Sequence, residues 1–375
     1  MKILKWILLC ICAIIVAACL YLAAVAVLPG FEVPEQPLRK TTRVAQVPHE
    51  RPPVPRKDVS FDVKGTVLSA WLYLPLGTSA PVPCIVMASG LGGTKDMGLE
   101  DYALRFQEAG FAVLVFDYRY FGESEGEPRQ LIWIPHQLED WAAAIEHAQS
   151  LTAIDLARIA LWGTSLSGGH VITIAARDNR IACVVAQCPG VDGRSSAEMT
   201  FERYPIGYNL RMLMHGQRDL VRSWLGLSPH KVPIVGKPGS IALMTASNAY
   251  DAFVQLAPDS FINEACARII IRGDKYRPIK YAHDVRCPVL LQICQKDELL
   301  SVESIEETGR ILGRYAEIRR YPIGHFDVYF GKNCENSIND QIEFYRKHLR
   351  PSTPGNQTRP NPNESHHQVT DKSGS

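Results

Sequence analysis

The feature that most constrains this chain is a serine between an apolar run and a helical run. Residues 159–162 (IALW) have the composition of a buried strand, and residues 166–176 have a helical pattern. Gly163-Thr164-Ser165 forms a tight turn between them, which exposes the Ser165 hydroxyl at the end of the strand. Backbone N–H groups at the start of a helix stabilise developing negative charge. The segment therefore predicts a serine nucleophile.

Strand-like and helix-like runs alternate on both sides of this turn. The strand-like runs are 60–63, 67–73, 84–88, 112–116, 159–162, 181–187, 289–294 and 317–321. The helical patterns are 99–109, 136–150, 166–176, 302–315 and 338–348. Two strands followed by β-α repeats predict an α/β fold over residues 58–350, with a mostly parallel eight-stranded sheet and helices on both faces.

One long segment, residues 195–283, lacks a clean β-α repeat but contains Trp, Tyr, Met and Pro. It falls between the sixth and seventh strands. An insertion there lies over the carboxyl ends of the strands, where ligands bind in open α/β sheets. We expect a helical cap over the site; the alternative is a helical decoration without substrate contact.

The N-terminus has a different composition. Lys2 and Lys5 precede an uncharged, almost wholly apolar run at 7–28, which spans roughly 33 Å as a helix, close to the ~30 Å hydrocarbon core. We interpret residues 1–28 as a single-pass transmembrane signal anchor; a cleaved signal peptide and a lipoprotein signal with Cys19 are the alternatives. The two lysines favour a cytoplasmic N-terminus and an exported body.

Two segments are predicted to lie outside the folded body. Residues 29–57 are rich in proline and charge and are predicted to form an extended tether. The polar tail 351–375 is expected to be disordered.

The net charge of +1 gives no sign of a nucleic-acid partner. No Walker-type loop, H-E-x-x-H or paired C-x-x-C motif is present, so we expect no cofactor and no metal. The oligomeric state is left open.

A serine nucleophile needs a base, and the base needs an orienting acid. His325 follows the last strand-like run, and Asp297 follows the run before it. Because parallel strands end at the same edge of a sheet, these side chains can converge on Ser165. We predict that Ser165 attacks a carbonyl, His325 moves its proton and Asp297 orients the imidazole.

Alternatives exist for two of these roles. Glu298 and Asp192 compete with Asp297 as the acid, and Ser167 is a second hydroxyl beside the nucleophile. His170 lies five residues after Ser165, about 500° around a helix, and is better explained by packing.

The oxyanion of such a reaction needs backbone donors. We predict the N–H groups of Leu166 and Leu91, with Gly90 or Gly92 as alternatives to Leu91. The glycines of the segment 89–94 (SGLGGT) let the backbone approach a substrate oxygen closely. The loop lacks the Gly-Lys-Ser/Thr ending of a phosphate cradle.

Four segments together resemble the α/β-hydrolase superfamily: SGLGG at 89–93, FDYRYFGES at 116–124, LWGTS at 161–165 and GHFDVY at 324–329. They are similar to its esterase-like branch, related to dienelactone hydrolases and X-Pro dipeptidyl-peptidases. The resemblance implies the hydrolase fold and a Ser-His-Asp triad, but no particular substrate. Two positions depart from the pattern: Ser89 replaces a histidine, and Ser167 replaces the last glycine of G-x-S-x-G.

Together these features predict a membrane-anchored serine hydrolase that cleaves small carboxylic esters through an acyl-enzyme intermediate. An acyltransferase, thioesterase or peptidase with the same triad is the alternative. A non-catalytic binding protein is a third possibility.

Overall fold

The fold is organised around one eight-stranded sheet. The computed structural model describes residues 2–27, 33, 38, 56–77 and 80–350. In sequence order, the strands of this sheet are β1 (Arg56–Val63), β2 (Thr66–Tyr73), β3 (Val82–Ala88), β4 (Ala112–Phe116), β5 (Ile154–Thr164), β6 (Cys183–Gln187), β9 (Val289–Cys294) and β10 (Ala316–Tyr321). Two short strands, β7 (Lys231–Val232) and β8 (Ala265–Cys266), pair separately.

The strand order is β1-β2-β4-β3-β5-β6-β9-β10. Strand β2 is antiparallel to both of its neighbours, and every other neighbouring pair is parallel. All residues of β3, β4, β6 and β9 are buried, as expected for apolar strands covered on both faces. The predicted α/β class with a mostly parallel eight-stranded sheet is confirmed.

The helices are α1 (Lys2–Val27), α2 (Leu99–Glu108), α3 (Ile134–Ser150), α4 (Leu166–Arg177), α5 (Gly193–Arg203), α6 (Ile206–Trp224), α7 (Ala249–Leu256), α8 (Ile269–Arg272), α9 (Val302–Leu312) and α10 (Gly331–His348). Side chains from α3, α4 and α9 form one core, and side chains from α2 and α10 form the other. In the second core, the rings of Phe106 and Tyr345 meet edge to face at 5.4 Å. Two apolar layers therefore sandwich the sheet.

The insertion between β6 and β9 contains α5 to α8, the β7–β8 pair and short 3₁₀ turns ending at Asp284. The sequence predicts a helical cap over residues 195–283. The regular structure begins two residues earlier, at Gly193, where the Asp192 carboxylate accepts the N–H of Arg194 and caps α5.

The N-terminal run forms one helix, α1. Its segment Ile3–Val27 is long and apolar enough to cross a membrane, and a signal sequence can have the same length and composition. The most apolar stretch of this segment is not buried. Strand β1 begins at Arg56, so the last two residues of the predicted tether belong to the sheet. Apart from residues 33 and 38, the rest of the tether and the tail 351–375 lie outside the described residues.

Candidate active site

Ser165 lies on a strained turn between β5 and α4. Its backbone has φ 54° and ψ −121°, a conformation that non-glycine residues rarely adopt and that costs about 1–3 kcal/mol. The turn requires small neighbours. A Cβ on Gly163 would lie 2.2 Å from the Ser167 carbonyl oxygen, and one on Gly169 would lie 2.2 Å from that of Gly190. These glycines therefore permit the sharp turn that exposes the hydroxyl.

The structure brings the three predicted triad residues together. The Nε2 atom of His325 lies 3.2 Å from Ser165 Oγ. The Nδ1 atom of His325 lies 2.6 Å from Asp297 Oδ2. Both the His325 and the Asp297 side chains are buried. When Nδ1 donates to the carboxylate, Nε2 is left to accept the serine proton.

The loops that carry the base and the acid are held by backbone hydrogen bonds. The second oxygen of Asp297, Oδ1, accepts the N–H groups of Leu299 at 2.8 Å and Leu300 at 3.0 Å. In the other loop, Asp327 Oδ2 accepts the N–H of Gly324 at 2.8 Å. These bonds fix the carboxylate plane and the turn before His325, so the imidazole has little freedom to leave Ser165.

The two competing acids have other partners. Asp192 forms a two-point ion pair with Arg277, at 2.8 and 2.7 Å. Burial raises the pKa of Asp192, but the ion pair with Arg277 and two backbone hydrogen bonds together hold the pKa below its ordinary value. The Glu298 carboxylate accepts from the backbone N–H and the hydroxyl of Ser247. Of the three candidates, Asp297 is the one hydrogen-bonded to the histidine.

The second serine of the motif takes part in a buried hydrogen-bond chain. Trp141 Nε1 donates to the Tyr118 hydroxyl at 2.7 Å, and that hydroxyl lies 2.5 Å from Ser167 Oγ. Ser167 in turn donates to the Ser89 carbonyl oxygen. Because the indole can only donate and the carbonyl can only accept, the direction of the chain is fixed. Ser167 thus links the Ser165 turn to the loop after β3.

His170 is a packing residue, as its helical position indicated. Its Nδ1 lies 2.8 Å from the Tyr276 hydroxyl, and its Nε2 lies 3.1 Å from Gln137 Oε1. Burial lowers the pKa of His170 to about 3, so the ring is neutral at physiological pH.

The glycine-rich loop after β3 passes directly over the serine. A Cβ on Gly90 would lie 2.9 Å from Ser165 Cβ, so only glycine allows this approach. The next residue is Leu91, whose N–H is the predicted second donor to the oxyanion. Leu166 is the first residue of α4, so its N–H has no partner four residues earlier within the helix. The backbone on both sides of Ser165 is therefore available for an oxyanion.

The loop after β3 is fixed by a buried ion pair that we did not identify in the sequence. Lys95 Nζ lies 2.8 Å from Asp117 Oδ2, and the Lys95 backbone N–H donates to Asp117 Oδ1 at 2.7 Å. Asp117 belongs to the segment 116–124 that carried the family resemblance. The missed signal was Lys95 itself, a lysine directly after a glycine-rich loop.

A small apolar cavity of about 40 Å³ adjoins Ser165 and His325. The insertion contributes three of its walls, Met244, Phe253 and Leu256. A larger cleft of about 930 Å³ lies beside α3 and α4, but none of the three triad candidates lines it. Of these two cavities, the smaller is therefore the one lined by the predicted nucleophile and base. Within the described ranges, no group of three or more His, Cys, Asp or Glu side chains could hold a metal ion.

Comparison with known proteins identifies a matching family and several relatives. The family model of the X-Pro dipeptidyl-peptidases (S15 family) matches residues 64–203. The quorum-quenching protein AidA of Acinetobacter baumannii is 42% identical over 292 residues, which cover 77% of this chain and 94% of AidA. The thiohydrolase apmlB of Arthrinium phaeospermum is 40% identical over 304 residues, which cover 76% of this chain and 94% of apmlB.

A solved structure extends the likeness to the fold. The α/β hydrolase GrgF from Penicillium sp. superposes with a TM-score of 0.65 at 25% identity, covering 79% of this chain and 99% of GrgF. In sequence, the polyketide transferase grgF of Penicillium sp. is 28% identical over 312 residues, which cover 79% of this chain and 98% of grgF. From the sheet order, the serine turn and these relatives, the chain belongs to the α/β-hydrolase superfamily, in its esterase-like branch.

Proposed function

We propose that this protein is a membrane-anchored serine hydrolase that cleaves carboxylic esters through a Ser-His-Asp triad. The observation that carries the proposal is the hydrogen-bonded series from Ser165 through His325 to Asp297, at 3.2 and 2.6 Å. A serine hydroxyl this close to a buried, carboxylate-oriented imidazole is the arrangement that activates the oxygen as a nucleophile.

The reaction begins when Ser165 Oγ attacks the ester carbonyl carbon while its proton moves to His325 Nε2. The carbonyl oxygen becomes an oxyanion and accepts the N–H groups of Leu166 and Leu91. His325 then gives the proton to the alcohol oxygen, the C–O bond breaks, and an acyl group remains on Ser165. Asp297 keeps its charge throughout and stabilises the imidazolium.

Water completes the cycle on the same atoms. His325 takes a proton from the water as its oxygen attacks the acyl carbon. The second tetrahedral intermediate collapses, the bond to Ser165 Oγ breaks, and the proton returns to that oxygen. The products are a carboxylic acid and the free serine.

The acyl group of this substrate occupies the small cavity beside Ser165. Its volume of about 40 Å³ exceeds the ~10–15 Å³ that holds one water but is far below the ~300–1,000 Å³ of a drug-sized site. Its walls include Met97, Met244, Phe253 and Leu256. We therefore propose short, apolar acyl chains.

The anchor of this enzyme is α1. The most apolar stretch of its span Ile3–Val27 is not buried, whereas the core helix of a soluble protein is mostly buried. Lys2 and Lys5 at its start favour a cytoplasmic N-terminus and a catalytic body on the exported side.

Acyl transfer or thioester cleavage is a second candidate for the same site. Two relatives support it by name, the thiohydrolase apmlB and the polyketide transferase grgF. Each reaction forms the same acyl-Ser165 species, and only the attacking or leaving group differs.

The test is hydrolysis of p-nitrophenyl acetate by the full chain in detergent. We expect turnover that Ser165→Ala removes and that Ser167→Ala largely keeps. Turnover unchanged in Ser165→Ala would refute the proposal. Poor ester turnover that rises at least about tenfold with an added alcohol, amine or thiol would favour acyl transfer.

A further inference from the structure

The insertion is attached to the end of the apolar helix α1. Tyr21 donates a 2.6 Å hydrogen bond to Gln217 Oε1 of α6. Two arginines of α6, Arg218 and Arg222, donate at 2.8 Å to the carbonyl oxygens of Val25 and Ala26. The last carbonyls of a helix lack partners within it, and cations there also favour the helix dipole. Helix α6 therefore caps α1.

This contact fixes the height of α6 relative to the apolar span. The α1 residues that it touches, 21, 25 and 26, lie in the last two turns of the helix, within roughly 9 Å of its end. For a span matched to a hydrocarbon core of about 30 Å, that end lies at the lipid headgroups. The C-terminal half of α6, which makes these contacts, then lies at the membrane surface.

Helix α6 has an apolar face that is exposed. Ile206, Leu210, Leu213 and Met214 are 61%, 53%, 41% and 38% exposed, and their spacing places them on one side of the helix. Trp224, the last residue of the helix, is 63% exposed. A surface helix of a soluble domain normally has one apolar stripe, turned toward its own core. The opposite side of α6 is the one packed on the body, through buried residues such as Tyr208, His215 and Asp219.

The charges of α6 are positive on its accessible side. Its basic residues are Arg211, which is exposed, and the half-buried Arg218 and Arg222. Its one acidic residue, Asp219, is fully buried and binds Arg268 at 2.6 Å. Exposed leucine, isoleucine and tryptophan next to arginines are the composition of helices that lie in the headgroup region of anionic membranes.

We propose that α6 is an interfacial helix that rests on the lipid bilayer at the leaflet where α1 ends. The occupant of the apolar stripe is lipid: Leu210, Leu213 and Met214 enter the boundary between headgroups and acyl chains, and Arg211 meets lipid phosphates. This inference rests on the proposed anchoring by α1. It adds that the α6 side of the insertion between β6 and β9 faces the membrane.

Photocrosslinking of the full chain in vesicles tests this orientation. The full chain carries p-benzoylphenylalanine in place of Leu210, in vesicles of phosphatidylcholine and phosphatidylglycerol. The matched control is the same substitution at Leu156, which is 56% exposed on β5 of the body. Substitution at Leu9 within α1 reports the anchor itself. Ester hydrolysis by each variant confirms folding, since none of the three residues lines the cavity beside Ser165.

We expect lipid adducts at positions 9 and 210, each at least about tenfold above position 156. Adducts at 9 but not at 210 overturn the interfacial helix and leave the anchor intact. An adduct from 210 to a second copy of the chain overturns it as well, because the stripe is then a dimer interface. Without adducts at 9, the anchoring proposal fails and this inference falls with it.

Discussion

Removing the ammonium group of Lys95 gives the sharpest stability prediction. Lys95 and Asp117 are each 2% exposed, and Lys95 Nζ lies 2.8 Å from Asp117 Oδ2 and 2.6 Å from Glu123 Oε2. Lys95→Met preserves the length and apolar stem of the side chain but leaves the Asp117 carboxylate buried without its cation. Breaking a buried ion pair on one side costs about 3–5 kcal/mol.

The remaining contacts of Asp117 set the magnitude within that range. Its oxygens still accept the backbone N–H groups of Lys95 at 2.7 Å and Glu123 at 3.1 Å. These hydrogen bonds partly stabilise the buried carboxylate. We therefore expect a loss at the lower end of that range, about 3 kcal/mol in the free energy of unfolding.

The pH dependence of this loss has a definite sign. Burial raises the pKa of Asp117, and Lys95 offsets only part of that rise. Without Lys95 the pKa rises further, so the folded variant binds a proton more readily than the unfolded chain. The penalty is therefore full above the folded pKa and shrinks as the pH falls through it, because a protonated Asp117 needs no cation.

Urea denaturation in detergent, followed by tryptophan fluorescence at pH 8 and pH 5, measures both effects. The control is Lys347→Met, which removes an exposed pair with Glu317 and should cost less than about 1 kcal/mol. Lys95→Met/Asp117→Leu should recover stability relative to the single variant. A single-variant loss no larger than the control's, or one that grows toward pH 5, would refute the reasoning.

Three further predictions concern the active site. Ser167→Ala should lower the free energy of unfolding by about 1–3 kcal/mol, because the buried Ser89 carbonyl loses its donor; wild-type stability in urea denaturation would contradict the hydrogen-bond chain. Asp297→Asn should lower kcat for p-nitrophenyl acetate about 10³–10⁴-fold, whereas Asp192→Asn should lower stability and change kcat less than about tenfold; the reverse order would make Asp192 the orienting acid. In kcat/KM, p-nitrophenyl acetate should exceed the decanoate by at least about tenfold, and equal values would mean that the small cavity does not hold the acyl chain.

Local patterns were enough to predict the sheet, because each strand has its own period and composition. The apolar run at 289–294 and the loop that follows it indicated both β9 and the position of Asp297. The choice between Asp297, Glu298 and Asp192 stayed open, because it depends on which carboxylate points at His325. That direction is set by backbone hydrogen bonds within the loop, which no residue type signals.

Contacts between residues far apart in the chain could not be predicted from the sequence either. Ser167 was visible as a departure from the glycine of the motif, but its partners Tyr118 and Ser89 come from distant loops. The contact of α6 with α1 joins residues more than 190 positions apart, and nothing in either segment specifies it. Such contacts follow from packing the whole chain.

Covalent labelling at Ser165 tests the central claim most directly. The full chain is treated with a fluorophosphonate, and the modified peptide is identified by mass spectrometry. We predict one adduct on Ser165 that requires folded protein, persists in Ser167→Ala and disappears in His325→Ala, because the hydroxyl needs its base. Folded protein that hydrolyses esters but carries no label at Ser165, or carries it on another serine, would contradict the triad.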